Sequence, residues 1–214
     1  MKHNTITLIN HASVLVKGTR QSILTDPWYE GDAFHRGWRL LYENSQEDIE
    51  RVLHDTTFIW ISHEHPDHFA ISFFRKYKPI LVDRKITIVF QKRKDKRVIN
   101  FLKKSGFETL ELDTGEPFTL EEGFTIRVIR DEFYDSALLM DVAGKKICNL
   151  NDCTMHSEKR ISEFQRQYGT CDVLLTQFSY AAWKGGRDNV QWRTSAAEDR
   201  LRSVLRQGQT LQAK

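Results

Sequence analysis

Residues 56–62, TTFIWIS, centre on the apolar run FIWI, and the next six, HEHPDH, hold three histidines and two acids. The run reads as a buried strand, so its C-terminal end delivers the polar cluster to one place. That juncture constrains the rest of the chain, which must supply layers to cover the strand on either side. TITLIN, SVLVKG and QSILTD read as earlier strands, the first two of them paired. DPWYEGDAFHRGWRLLYE has no clear period and is rich in aromatics and glycine, the mark of a long functional loop. SQEDIERVL is a short helix opened by a capping box of Ser45 and Asp48.

Downstream, the pattern predicts a helix over 68–77, a strand ITIVF and a helix KDKRVINFLKK closed by Gly106. Strands ETLEL, FTIRVIR, SALLMDV and KKICNLN follow, then a helix SEKRISEFQRQY and a strand DVLLTQ. An aromatic loop, FSYAAWKGGRDNVQW, leads to a final helix opened by Ser195 and Glu198. No linker, repeat or low-complexity segment divides the chain. The expectation is one α/β domain over 1–214, two layers of sheet flanked by helices.

Composition removes several classes of function. With 40% hydrophobic and 29% charged residues, the 214-residue chain is globular and long enough to bury a core. A net charge of +3 is too small to argue for nucleic acid, and QKRKDKR at 91–97 reads as a solvated helix start. No signal peptide is visible at the start, and no apolar run is long enough to span a bilayer. Three cysteines, Cys148, Cys153 and Cys171, make an odd count without a C-x-x-C pair, which fits a reducing cytoplasm.

The cluster itself stands as H-x-H-x-D-H: His63, His65, Asp67 and His68. Imidazole and carboxylate together are ligands for zinc, iron or manganese. The alternate spacing of His63 and His65 puts both on one side of an extended segment, and Pro66 forces a turn that lets Asp67 and His68 face a neighbouring position. A solvated, histidine-rich loop would explain neither the spacing nor the buried strand.

H-x-H-x-D-H after a strand resembles the signature of the metallo-β-lactamase fold, and the resemblance runs over nearly the whole chain. It implies an αββα sandwich with a metal site at one edge of the two sheets. By the same resemblance His63 and His65 hold one metal, Asp67 and His68 a second, and Asp152, after the run KKICNLN, bridges them. INHASVLV, ILTDPWYEGDAFHRGW, NLNDC and QFSYAAW are similar to a branch including ascorbate-6-phosphate lactonase, N-acylphosphatidylethanolamine phospholipase D and CMP-N-acetylneuraminate hydroxylase. That branch implies support from Asp26 and a place near the site for His11. Asp26 reads equally as a turn residue before Pro27, and His11 reads better as a hydrogen-bonded strand histidine.

The chain also departs from the family pattern. VIRDEFYDSALLMDV contains no histidine where the family carries another ligand. Asp131 or Asp135 either replaces it, tilting the site toward iron or manganese, or is an ordinary turn acid. The chain stops at GQTLQAK, where a strand bearing a last histidine would begin. The expectation is therefore a domain lacking its C-terminal strand, prone to self-association. No Rieske centre can be built, because the three cysteines lack C-x-H spacing. His156 reads as a reach toward the metal or as a helix-cap residue. Trp28, Phe34, Trp38, Tyr180 and Trp183 are candidates for a substrate wall, about half of them loop anchors.

These readings together imply a metal-dependent hydrolase acting on a small anionic substrate such as a sugar phosphate, lactone or nucleotide sugar. Zinc is the expected ion, one or two per chain, with manganese or iron(II) as alternatives. Asp67 doubles as the catalytic acid that orients water. An oxygenase-like component fed by a separate reductase, or a metal-binding fragment without turnover, are the competing readings.

Overall fold

A computed structural model describes residues 4–180 and 188–214. The first sheet is made of β1 (Thr5–Asn10), β2 (Ser13–Lys17), β3 (Ser22–Thr25), β4 (Phe58–Ile61), β5 (Thr87–Gln91) and β6 (Thr109–Leu112) in that spatial order. β1, β2 and β3 pair antiparallel, whereas β3 to β6 run parallel. The second sheet comprises β7 (Phe118–Glu121), β8 (Phe124–Arg130), β9 (Ser136–Val142), β10 (Lys145–Asn151) and β11 (Val173–Thr176), in the order β11-β10-β9-β8-β7. Only its β10–β11 pair is parallel.

Among the described residues, six helices cover the outer faces: α1 (Gln46–His54), α2 (Ile71–Lys76), α3 (Lys78–Asp83), α4 (Arg97–Lys104), α5 (Glu158–Tyr168) and α6 (Val190–Leu211). Strand alternation sorts the core into three layers. Between the sheets lie Ile23, Trp60 and Val89 from the first and Phe124, Ile126, Val128, Leu138 and Met140 from the second. Their sequence neighbours Leu24, Ile59, Ile61 and Ile88 turn the other way, onto α1 to α4. Cys148 and Leu150 pack outward against Ile161 and Phe164 of α5. This is the αββα sandwich expected, with β3, β4 and β5 of the parallel half buried on both faces and the edge strand β6 only partly so. Among the described residues, no helix is long and apolar enough to cross a membrane.

Several local expectations shift. The helix expected over 68–77 begins only at Ile71, because His68 and Phe69 both donate their backbone N–H to His65 O (3.0 and 2.7 Å), closing a turn around Pro66. Pro79 cannot continue the preceding hydrogen-bond ladder, so α3 starts afresh around it. The strand β7 is four residues long and too short to show a period. The last helix opens at Asn189, whose side chain accepts from Trp192 N, rather than at Ser195. No breaker separates 190 from 195, so the Ser195–Glu198 pair lies inside the helix.

The parallel strands β3 and β4 end side by side, and β10 of the other sheet ends at the same edge of the sandwich. This places residues 26, 62–68 and 151–152 together, at the carboxyl ends where parallel strands gather ligands. Trp60 at the centre of the inter-sheet layer is fully buried, with an indole N–H that has no partner. Trp60→Ala should therefore cost about 3–5 kcal/mol by cavity formation. Trp60→Phe removes the unpartnered donor along with less volume, and should cost less than half as much in urea unfolding.

Candidate metal centre

The loop 62–70 is built around a buried carboxylate. Asp26 is fully buried, and accepts hydrogen bonds from Ser62 N and Ser62 Oγ (2.8 Å each) and from the Asn151 side-chain amide. His68 Nδ1 lies 3.1 Å from the same carboxylate. A histidine that donates Nδ1–H to a carboxylate presents Nε2 as a lone pair in a fixed direction. His68 Nε2 consequently faces Asp67 Oδ2 at 3.4 Å and Asp152 Oδ2 at 3.5 Å. These contacts are close enough for charge attraction but not aligned for hydrogen bonding, so among the described residues His68 Nε2 is buried without a hydrogen-bond partner, as is the other oxygen of Asp67, Oδ1.

Two groups of donors converge. His63, His68 and Asp152 form one, and His11, Asp67 and His68 the other, each with ligand atoms within 4.8 Å of one another. His11 Nε2 is 3.3 Å from Asp67 Oδ2. Its ring stands edge-on to Trp28 and Trp38, with centroids at 5.1 and 5.9 Å. The backbone at His11, Asp26 and Asn151 has φ of 45°, 36° and 47°, a left-handed conformation that non-glycine residues seldom adopt. Such strain concentrates where the surrounding structure must aim a side chain. At Asn151 it coincides with a slip in the β10–β11 register between Asn149 and Asn151.

The residues singled out by sequence are not all placed alike. His65 is exposed and stands outside both groups, its Nδ1 sharing a hydrogen bond of 2.8 Å with His63 Nε2. His63 is buried, with Nδ1 bonded to Ser62 Oγ at 2.9 Å. Asp135 Oδ1 also lies 2.8 Å from His63 Nδ1, off the line of a hydrogen bond and without a partner of its own. Asp131 is turned away, occupied by Arg160 and by the backbone N–H of Thr154. His156 is tied to α6 through Ser203 and Arg200. Tyr180 packs on Trp192 of α6, and Trp183 lies outside the described residues. His11, read from the sequence as a strand histidine, lies instead in the turn between β1 and β2, and local pattern says nothing about which end of a sheet such a turn occupies.

The electrostatics are those of a cation site. Burial opposes charge on His68, but the carboxylates of Asp152, Asp26 and Asp67 outweigh it and hold its imidazole well above the usual range. Burial would raise Asp67, yet the neighbouring imidazoles of His11 and His68 keep it well below the ordinary carboxylate range. Asp152 is lowered too, its burial offset by His68 and then His63. Burial, followed by His63, pushes His65 down. A set of buried acids that favours a proton on His68 also favours a metal cation in its place. Free lone pairs and mixed N/O donors therefore fit a divalent ion.

A cavity of about 320 Å³ opens on the cluster, lined by His11, Trp38, Asp67, Asp152, Leu8 and Phe178 among others. A larger one, about 550 Å³, lies between the second sheet and α5 and contains none of these donors, so volume alone does not mark the site.

The chain belongs to the beta-lactamase superfamily, whose domain model matches residues 5–188. The cytidine monophosphate-N-acetylneuraminic acid hydroxylase of Danio rerio is 24% identical over 94% of the chain. The chain spans only 34% of that relative's length. Among solved structures, CmlA, a diiron beta-hydroxylase from Streptomyces venezuelae, superposes with a TM-score of 0.71 at 14% identity, covering all of this chain and 44% of its own. A Veillonella parvula protein described as a possible metal-dependent hydrolase gives 0.67 at 17% identity, covering 99% of this chain and 83% of its own. These likenesses establish the metallo-β-lactamase fold, and the fold implies a divalent metal.

The Asp26 network makes a test independent of any metal. Asp26→Ala leaves Ser62 and Asn151 with buried donors and no acceptor, and should cost about 3–5 kcal/mol in denaturant unfolding. Asp26→Asn keeps the shape and one acceptor, and should cost about 1–3 kcal/mol. An alanine variant within about 0.5 kcal/mol of wild type, the range of ordinary surface substitutions, would show that the network is dispensable.

Proposed function

We propose that this protein is a metal-dependent hydrolase that directs water onto a small anionic substrate, with one or two ions held by His63, His65, Asp67, His68 and Asp152. The observation that carries this reading is that His68 Nε2 and Asp67 Oδ1 are buried without a hydrogen-bond partner among the described residues, beside a cavity that Asp67 and Asp152 line. Zinc suits compact imidazole and carboxylate donors first, with manganese or iron(II) next because the carboxylate share is large. When bound, such an ion supplies a Lewis acid and brings the pKa of water to about 7.

The chain's own residues do the remaining work. Asp26 fixes the orientation of His68. His11 steadies Asp67 Oδ2, which leaves Oδ1 to orient the attacking water and receive its proton. Trp38 and Leu8 close one side of the cavity, whose size suits a small molecule. The zebrafish relative is named for an anionic nucleotide sugar. A sugar phosphate, lactone or nucleotide sugar is accordingly the class proposed.

One set of observations favours a second reading, an oxygenase-like component supplied with electrons by a separate protein. The matched relative is named a hydroxylase and CmlA a diiron enzyme, and here a carboxylate, Asp135, stands beside His63. Carboxylate-rich sites suit iron. Metal analysis of protein purified without added metal separates the two. Zinc or manganese with hydrolysis needing no reductant supports the first, and iron with activity only when electrons are supplied supports the second.

His63→Ala combined with His65→Ala should strip the ion, measured by elemental analysis, and full metal content in that variant would end the assignment. Asp152→Asn should leave the fold intact and lower the stoichiometry by one ion where wild type holds two, because the amide keeps the shape and loses the charge. Unchanged stoichiometry would make Asp152 a structural residue.

A further inference from the structure

The cavity that opens on the donors lies between the β1–β2 hairpin of the first sheet and the ends of β10 and β11 in the second. Asn149 lines it from β10, three residues before Asp152. We propose that the side-chain amide of Asn149, with Gln177 just past the end of β11, binds a ring hydroxyl of a sugar. This wall of the cavity then selects the uncharged part of the substrate. The inference rests on the metal-dependent reading above and names what its cavity recognises.

Three observations carry it. First, Asn149 holds amide donors that nothing in the protein uses. Among the described residues three asparagines are buried, Asn10, Asn149 and Asn151. Asn10 donates Nδ2 to Tyr42 O (3.1 Å) and Asn44 Oδ1 (2.7 Å), and Asn151 donates Nδ2 to Asp26. Asn149 differs. Its Oδ1 accepts the backbone N–H of Asn151 at 3.0 Å, whereas its Nδ2 makes no hydrogen bond among the described residues. A backbone N–H needs an acceptor, so the amide cannot be turned the other way round. Asn149 is only 4% exposed, yet Nδ2 is not one of the sealed polar atoms, so the surface it keeps opens on the cavity that the residue lines. Buried amide donors are seldom left unpaired, and a ligand oxygen at this wall would pair them.

Second, Gln177 is half-buried on the same cavity, and its side-chain amide also makes no hydrogen bond among the described residues. Its backbone N–H is bonded to Asn151 O at 3.3 Å. Asn151 thus places both amides, holding the Asn149 side chain by its N–H and the Gln177 backbone by its C=O. Third, the first sheet's side of the cavity offers Leu8 and Val14, with the half-buried ring of Trp38. A sugar ring has the matching halves, C–H faces that pack on indole and hydroxyls that both donate and accept as an amide does. An ionised group is better held by a charged donor, so a pair of neutral amides points to hydroxyls.

The test is calorimetric titration of glucose-6-phosphate, and of the nucleotide sugar for which the zebrafish relative is named, into the full chain, with inorganic phosphate as reference. Each titration is repeated after removal of metal by chelation. Wild type should bind at least one of the two sugars more tightly than inorganic phosphate. Asn149→Asp keeps the acceptor for Asn151 N–H and replaces the amide donors with an oxygen. It should lose about tenfold more affinity for that sugar than for phosphate, with metal content and circular dichroism unchanged. Gln177→Ala, which adds no charge, should shift the same ratio in the same direction. Equal losses for sugar and phosphate in Asn149→Asp, or no preference for either sugar in wild type, overturns the proposal. Should Asn149→Asp fail to fold, Gln177→Ala carries the comparison, since its side chain holds no other described residue in place. A wild-type protein that holds no metal sinks the hydrolase reading, and the metal-free titrations then decide the role of Asn149 separately.

Discussion

A single carboxylate ties the two sheets together. Asp26 leaves the end of β3, receives two bonds from Ser62 at the end of β4, and a third from Asn151 at the end of β10 in the opposite sheet. A charge in so dry a place is tolerable only when nearly every lone pair is answered. His68 completes the set, and in doing so is turned to face Asp67 and Asp152. The joint between the sheets and the aim of the central histidine are therefore one interaction. The left-handed backbone at His11, Asp26 and Asn151 lies around this point, held there by the packing of both sheets.

Much of this was legible in the sequence. The apolar run at 58–61 and the H-x-H-x-D-H that follows place a buried strand and a donor cluster in register, and Asp152 is marked by its position after KKICNLN. The αββα layering follows from strands whose residues alternate between two apolar environments. What stayed hidden depends on long-range geometry. Asp26 before Pro27 carries the same local signal as any turn acid, and only the arrival of Asn151 from 125 residues away reveals its role. His11 sits in a pattern that any edge hairpin would show. The choice between Asp131 and Asp135 was open because two acids four residues apart at a loop are equivalent until Arg160 claims one of them. The four-residue β7 and the Pro79-initiated α3 fall below the length at which periodicity is readable.

The fold does not settle the chemistry, and the reason lies in how the donors are supplied. Ligand atoms come from loops at the ends of strands, so their number and kind change without cost to the layers beneath. A superposition with a diiron beta-hydroxylase and another with a protein described as a hydrolase are thus compatible with one scaffold. In this chain the carboxylate of Asp135 stands beside His63, and the histidine at position 11 is closed in by two tryptophans. Both lie around a donor cluster whose position is set by the sheets.

The sequence distance bridged by Asp26 has a consequence for how the molecule is assembled. Strands β1 to β3 are neighbours along the chain and can meet early, whereas Asn151 reaches Asp26 across 125 residues. Contacts of that separation are entropically the slowest to close. As the chain emerges from the ribosome, the first sheet can form with its buried acid still lacking the amide from the second. Docking of the later sheet supplies that amide, dries the acid and delivers Asp152 beside His68 in the same movement. Closure of the sandwich and assembly of the donor cluster thus depend on the same long-range contact.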